Sequence, residues 1–136
     1  VSEGYARSLR VDDLVEAQER LRREGARHVV ISRATKPTLA LIEDRLLLAT
    51  GPTFRAPEPR GTGDAMFAAL GVAMARGEPW EEILRMGMAA GALNATRHGL
   101  GSGHGPEVER LVPLVRVEEL ARASDLVAQK LGEQEG

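Results

Sequence analysis

The sequence predicts an α/β layered domain, and three observations carry that expectation. An amphipathic helix runs directly into a short β-branched apolar segment, two further apolar segments flank Glu43-Asp44, and two long helical stretches follow a proline-bearing connection. Helices with one apolar face and strands that read apolar throughout bury one another in layers. At 136 residues the chain fits a single domain, 1–136, with a modest core.

Residues 11–24 place Leu14, Ala17 and Leu21 on one face, Asp12 and Asp13 in the first turn, and Arg22 and Arg23 in the last before Gly25. That is an amphipathic helix with charges matched to its dipole and a glycine stop. His28-Val29-Val30-Ile31 reads as a strand buried on both faces. Residues 33–37 read as a polar turn, and 38–42 and 45–50 as the two strands of a hairpin. Pro52, Pro57 and Pro59 make 51–60 an extended connection. The helix expected over 64–76 is apolar nearly all round, which marks it as central to the core, and Gly77 ends it. Pro79 opens a second helix in which Trp80, Ile83, Leu84, Gly87, Gly91 and Asn94 fall on one stripe. Gly87 and Gly91 admit either a neighbouring backbone or a flat ligand, packing being the simpler use of each. The glycine-rich stretch 97–106 reads as a loop, 106–111 as a short helix, 114–117 as a strand and 118–131 as a last amphipathic helix.

Composition limits the function classes. The apolar residues are mostly Ala, Leu, Val and Met, with one Trp, one Tyr and two Phe, so the core depends on small side chains and close helix packing. A net charge of −2 gives no general electrostatic reason to bind nucleic acid or an anionic membrane. The absence of cysteine removes disulfides and thiolate chemistry. The longest apolar run, 65–75, is too short to span a bilayer and no signal-peptide pattern opens the chain, so the expected location is cytoplasmic. The polar opening at Val1, with no helix or strand start of its own, reads as part of something longer.

Chemistry concentrates at Arg60-Gly61-Thr62-Gly63-Asp64, which runs straight into the apolar helix expected to begin at Asp64. Glycines one residue apart let the backbone turn tightly and approach a ligand. The first amides of a helix have no intrahelical partner and carry the positive end of its dipole, so a phosphate can be held there. Asp64 is the only ionisable side chain within the nest. A carboxylate beside such a site can accept a proton from an attacking hydroxyl. Asp is also among the commonest N-caps, and for these five residues alone an ordinary capped helix is the simpler reading. Neither a P-loop nor a dinucleotide fingerprint is present, since no Lys-Ser or Lys-Thr and no third glycine follow. His98 and His104, six apart in a loop, are a weak metal signal, and no metal ligand is assigned.

The sequence resembles the ribokinase-like sugar kinases, the phosphofructokinase-B family. Gly61-Thr62-Gly63-Asp64-Ala65-Met66-Phe67 looks like that family's Gly-Ala-Gly-Asp signature with Thr in place of Ala. The helix from Trp80 to Ala92 follows at the family's usual distance, and the order of the parts matches over nearly the whole chain. Val108-Glu109-Arg110-Leu111 and Val115-Arg116-Val117-Glu118-Glu119-Leu120 look most like the phosphofructokinase and phosphotagatose kinase branch. The resemblance implies a three-layer ribokinase-like α/β fold, of which this is the carboxy-terminal, nucleotide-binding half. It implies ATP-dependent phosphoryl transfer to a hydroxyl of a sugar or sugar phosphate, with Mg2+ and, in some members, a monovalent cation.

On that resemblance Asp64 is the base and the amides of Gly61, Thr62 and Gly63 form the anion hole. Ser32, Arg33, Ala34, Thr35, Lys36 and Pro37, then Met88 and Ala92, line the nucleotide. Asn94, with Arg97 and Gly99, corresponds to positions that lend backbone carbonyls to a cation. There are departures. The usual Ser-x-Gly-x-x-Gly loop reads Ser32-Arg33-Ala34-Thr35-Lys36-Pro37 and has lost both glycines, and Glu58 and Arg60 stand where cation-dependent members often carry Asp and Thr. The family's amino-terminal half, with its sugar-binding residues and its Asn-x-x-Glu magnesium motif, is absent from these residues. Two functions are therefore expected: a phosphotransferase incomplete as this chain, or a non-catalytic nucleotide- or phosphate-binding domain that pairs with another copy or a partner chain. Neither involves nucleic acid or a membrane.

Overall fold

The computed structural model describes residues 11–33, 36–52, 62–95 and 105–122, together with Asp125 and Gly132. In chain order the elements are α1 (Val11–Arg23), β1 (His28–Arg33), β2 (Lys36–Ile42), β3 (Arg45–Thr50), α2 (Thr62–Ala75), α3 (Trp80–Ala95), α4 (Gly105–Leu111), a 3-10 turn (Val112–Leu114) and β4 (Arg116–Arg122). The described residues fall into two compact units.

The first unit takes 11–33, 38–48 and 118–122. Its strands form an antiparallel sheet in the order β1-β2-β3-β4. Val29, Ile31, Leu39, Leu41 and Leu46 make its core, with Leu21, Ala26 and Leu48 packed against them. The helix expected at 11–24 is α1, and its glycine stop is literal. Gly25 sits at φ 112, its amide donates to the carbonyl of Arg22 and that of Ala26 to the carbonyl of Leu21. This is a Schellman closure, and Leu21 and Ala26, the pair it brings together, share one apolar cluster. Gln18 is fully buried on α1 and its Nε2 donates to the Val29 carbonyl, tying helix to strand.

Three expectations change here. β1 is not buried on both faces: Val29 and Ile31 are buried while His28, Val30 and Ser32 are half-buried, because β1 ends the sheet and α1 covers it from one side. The turn expected over 33–37 shrinks, since Arg33 closes β1 and Lys36 and Pro37 already belong to β2. The hairpin itself appears as expected, with Glu43 at φ 57 supplying the positive φ that a two-residue turn between twisted strands requires. The strand expected at 114–117 starts only at Arg116, after the 3-10 turn, and runs on as β4 through Arg122, so 118–122 are strand and not helix; of the rest of the helix expected over 118–131 only Asp125 is described, and it is helical. Pro113 sits in that turn, the Val115 amide donates to the Val112 carbonyl, and Val115 is extended, so the chain leaves ready to pair. Glu118 to Arg122 favour helix locally, yet pairing beside β3 outweighs propensities of a few tenths of a kcal/mol per residue, roughly. Arg45 Nε lies 3.5 Å from Glu119 Oε2 across that pair.

The second unit takes 36–37, 49–52, 62–95 and 105–117. Here α3 packs against α2, α4 and the 3-10 turn. Ile83, Leu84, Gly87, Ala89, Gly91, Leu93 and Asn94 are all buried, so α3 rather than α2 is the central helix. The expectation that α2 would be central fails because, among the described helices, only α3 packs extensively against it. Met66, Leu70 and Ala73 form the buried stripe, while Phe67, Val72 and Met74 are exposed. α2 closes as α1 does: Gly77 is at φ 73, its amide donates to the Met74 carbonyl and that of Glu78 to the Ala73 carbonyl. Pro79 then starts α3, its carbonyl accepting from the Ile83 amide at 2.9 Å.

Gly77→Ala should lower stability by at least about 1 kcal/mol, because a β-carbon is strained at this φ. A fall in the urea midpoint at unchanged slope is the expected reading, and the exposed Glu119→Gln should stay within about 0.5 kcal/mol of wild type.

Candidate functional site

The glycine-aspartate signature sits where two physical effects coincide. α2 is already helical at Thr62, two residues earlier than expected, so Asp64 lies in its first turn and is not the N-cap. Gly63 is half-buried beside it and the Asp64 carboxylate is exposed. The first four amides of a helix lack intrahelical acceptors, and here they belong to the backbone around the signature. A first-turn carboxylate is favoured by the same dipole that favours a bound anion. The arrangement therefore offers main-chain donors for a phosphate and, beside them, a solvent-accessible proton acceptor.

α3 bears the other expected residues. Met88 and Ala92, one helical turn apart, are half-buried, and Asn94 is buried at 3% exposure. Met88 also meets the chain leaving β3: a β-carbon added to Gly51 would lie 3.2 Å from its Cε. Gly51 was legible only as the start of a connection, and a glycine between a strand end and Pro52 is the one local sign of this close approach. For Gly87 the structure chooses packing over a flat ligand, since the space where its side chain would project holds Leu70 and Met66 of α2.

The segment 32–37 is not the open loop expected for a nucleotide. Ser32 and Arg33 end β1, and Lys36 and Pro37 begin β2, because the ladder continues almost to the turn. Ala34, Thr35, Glu58, Arg60, Gly61, Arg97, His98, Gly99 and His104 lie outside the described residues. Among the described residues no three His, Asp or Glu side chains gather as a metal site. No described helix is long and apolar enough to cross a membrane.

The model of the pfkB family carbohydrate kinases matches residues 6–106, and the chain belongs to that family. It is 28% identical over 110 residues to the 1-phosphofructokinase of Bacillus subtilis (strain 168), covering 81% of this chain and 36% of that protein. Its fold matches phosphofructokinase-2 from Escherichia coli in complex with potassium at a TM-score of 0.70 and 23% identity, over 77% of this chain and 34% of that one. It matches ribokinase from Thermotoga maritima at a TM-score of 0.69 and 25% identity, over 80% and 36% respectively. The ribokinase-like α/β fold and the family expected from the signature are thus found. The chain spans about a third of the length of these relatives.

Because Asp64 is exposed and outside the buried stripe of α2, Asp64→Asn should fold with a circular dichroism spectrum like that of wild type. That makes it a clean probe of chemistry at the signature.

Proposed function

We propose that residues 1–136 act as one domain, the nucleotide-binding and base-bearing half of an ATP-dependent sugar or sugar-phosphate kinase. The observation that carries this reading is Asp64, exposed in the first turn of α2 immediately after Gly61-Thr62-Gly63. In the reaction an acceptor hydroxyl oxygen bonds to the γ-phosphorus as the bond from that phosphorus to the β,γ-bridging oxygen breaks, and ADP leaves with the electron pair. The acceptor proton passes to Asp64. Phosphoryl transfer has a loose transition state, so the acceptor proton departs late and a nearby carboxylate can take it. The amides at the start of α2 face the charge on the transferring group.

A nucleoside triphosphate fits the described residues in two respects: the amides of α2 suit its terminal phosphate, and Met88 and Ala92 leave half-buried apolar surface for a flat base. The family resemblance also offers Ser32, Arg33, Lys36 and Pro37 as nucleotide contacts, and they stand on strand ends rather than in a loop. Asn94 is assigned to the same nucleotide end through its place on α3. Magnesium would offset charge on the triphosphate, but the described residues gather no ligand set for it, and no step here runs through it. Bacillus subtilis 1-phosphofructokinase makes fructose 1-phosphate the first acceptor to test.

A second reading is a nucleotide- or phosphate-binding domain that turns over only with a polypeptide supplying the rest of the family's length. The apolar residues α2 leaves exposed, Phe67 at 38%, Val72 at 49% and Met74 at 50%, favour it. The two readings part on one assay. ADP formation from ATP is measured with fructose 1-phosphate, fructose 6-phosphate and tagatose 6-phosphate. For a kinase, Asp64→Asn lowers kcat by about 10²–10⁴-fold, the range of a general base. Turnover that survives this substitution removes the base role from Asp64. ATP binding without turnover favours the second reading.

A further inference from the structure

We propose that Gly87 is the positioning residue for Asp64. By bringing α3 against α2 without a β-carbon, it sets where the first turn of α2 lies. The catalytic value of that placement rests on the phosphotransfer reading above; the placement itself does not.

Gly87 is buried on α3. A β-carbon there would lie 2.6 Å from Leu70 Cδ2, 2.9 Å from Leu70 Cγ and 3.3 Å from Met66 Cγ. The first contact alone could be relieved by turning the end of Leu70. The second is harder to relieve, because Cγ is the branch point and moves only with χ1, and Leu70 is buried. Met66 is met as well, one turn closer to the start of α2. Leu70 lies just past the middle of α2, and Met66 falls in the half that carries the signature, two residues from Asp64. Beyond them the buried stripe narrows to Ala73, which has little to collide with. A methyl group at position 87 therefore tilts α2 about its far end and carries Asp64 outward.

The neighbouring residue on α3 gives the same contact surface a second anchor. Met88 packs its Cε against Gly51 at the exit from β3, so α3 has little freedom to retreat instead. Reacting groups must stand about 3–3.5 Å apart, and a displacement of ~1 Å can cost a hundredfold in rate.

The test compares wild type, Gly87→Ala, Leu70→Ala and the double variant. Two quantities are read in each: the 1H–15N positions of the Gly63, Asp64 and Ala65 amides, and kcat and KM for ATP with fructose 1-phosphate. Gly87→Ala is expected to shift those amides and to lower kcat by roughly ten- to a hundredfold while KM for ATP changes little. In the Leu70→Ala background the two contacts under 3.0 Å are gone and only the 3.3 Å approach to Met66 Cγ is left, which the flexible Met66 can relieve, so the added methyl should leave both amides and kcat as they are in Leu70→Ala alone. A purely structural role would lower folding stability without this split and rescue. Unmoved amides in Gly87→Ala, or amides that move equally in both backgrounds, overturn the proposal. Should Gly87→Ala fail to fold, movement on adding it to Leu70→Ala overturns it as well. Absence of Asp64-dependent turnover in wild type is a failure of the phosphotransfer reading, and the amide positions then still decide the role of Gly87.

Discussion

The second unit of this protein depends on one close approach, that of α3 to α2 at Gly87. A chain with four aromatic residues in all cannot fill wide gaps between helices, so its helices must come near one another. Gly87 makes that possible by presenting backbone where Leu70 and Met66 need room. Ile83 and Leu84, one turn before it on α3, are almost fully buried, each worth about 1.5–3 kcal/mol relative to exposure. α4 and the 3-10 turn pack on α3 in turn, and Met88 meets Gly51.

The first unit is organised by a different constraint. Its core is a sheet of alternating or continuous apolar strands under one helix, and its precision comes from hydrogen bonds at the edges of elements. Gln18 joins α1 to β1, and the closure at Gly25 directs Leu21 and Ala26 into the same cluster. The surface charges add little, since pairs such as Arg45 and Glu119 remain about half exposed and in competition with water. Leu39, Leu41 and Leu46, all nearly fully buried, hold this unit together.

At the candidate site the physics of the helix start does not depend on which reading of function holds. The amides of the first turn and the backbone of Asp64 are placed by the helix itself, so they persist through changes in most side chains around them. The nucleotide end is less determined. Ser32 and Pro37 belong to strand ends, where the backbone is committed to the sheet and less able to wrap a phosphate than a glycine loop.

Much of this was legible from the residues themselves. Helix boundaries with glycine stops at Gly25 and Gly77, the start at Pro79 and the hairpin at Glu43-Asp44 follow from backbone preferences that act within a few residues. The signature was legible for the same reason, as a local arrangement of glycines, a carboxylate and an apolar run. What only the tertiary structure decided involves partners distant in sequence. Residues 118–122 became a strand because β3 offered hydrogen bonds that outweigh local helix propensity. α2 lost its central place to α3 because burial is fixed by what packs alongside, and Gly87 became a contact surface because Leu70 happens to lie opposite it. Local chemistry wrote the elements and the site's key residues, whereas the distances between elements, on which the use of that site depends, came from packing alone.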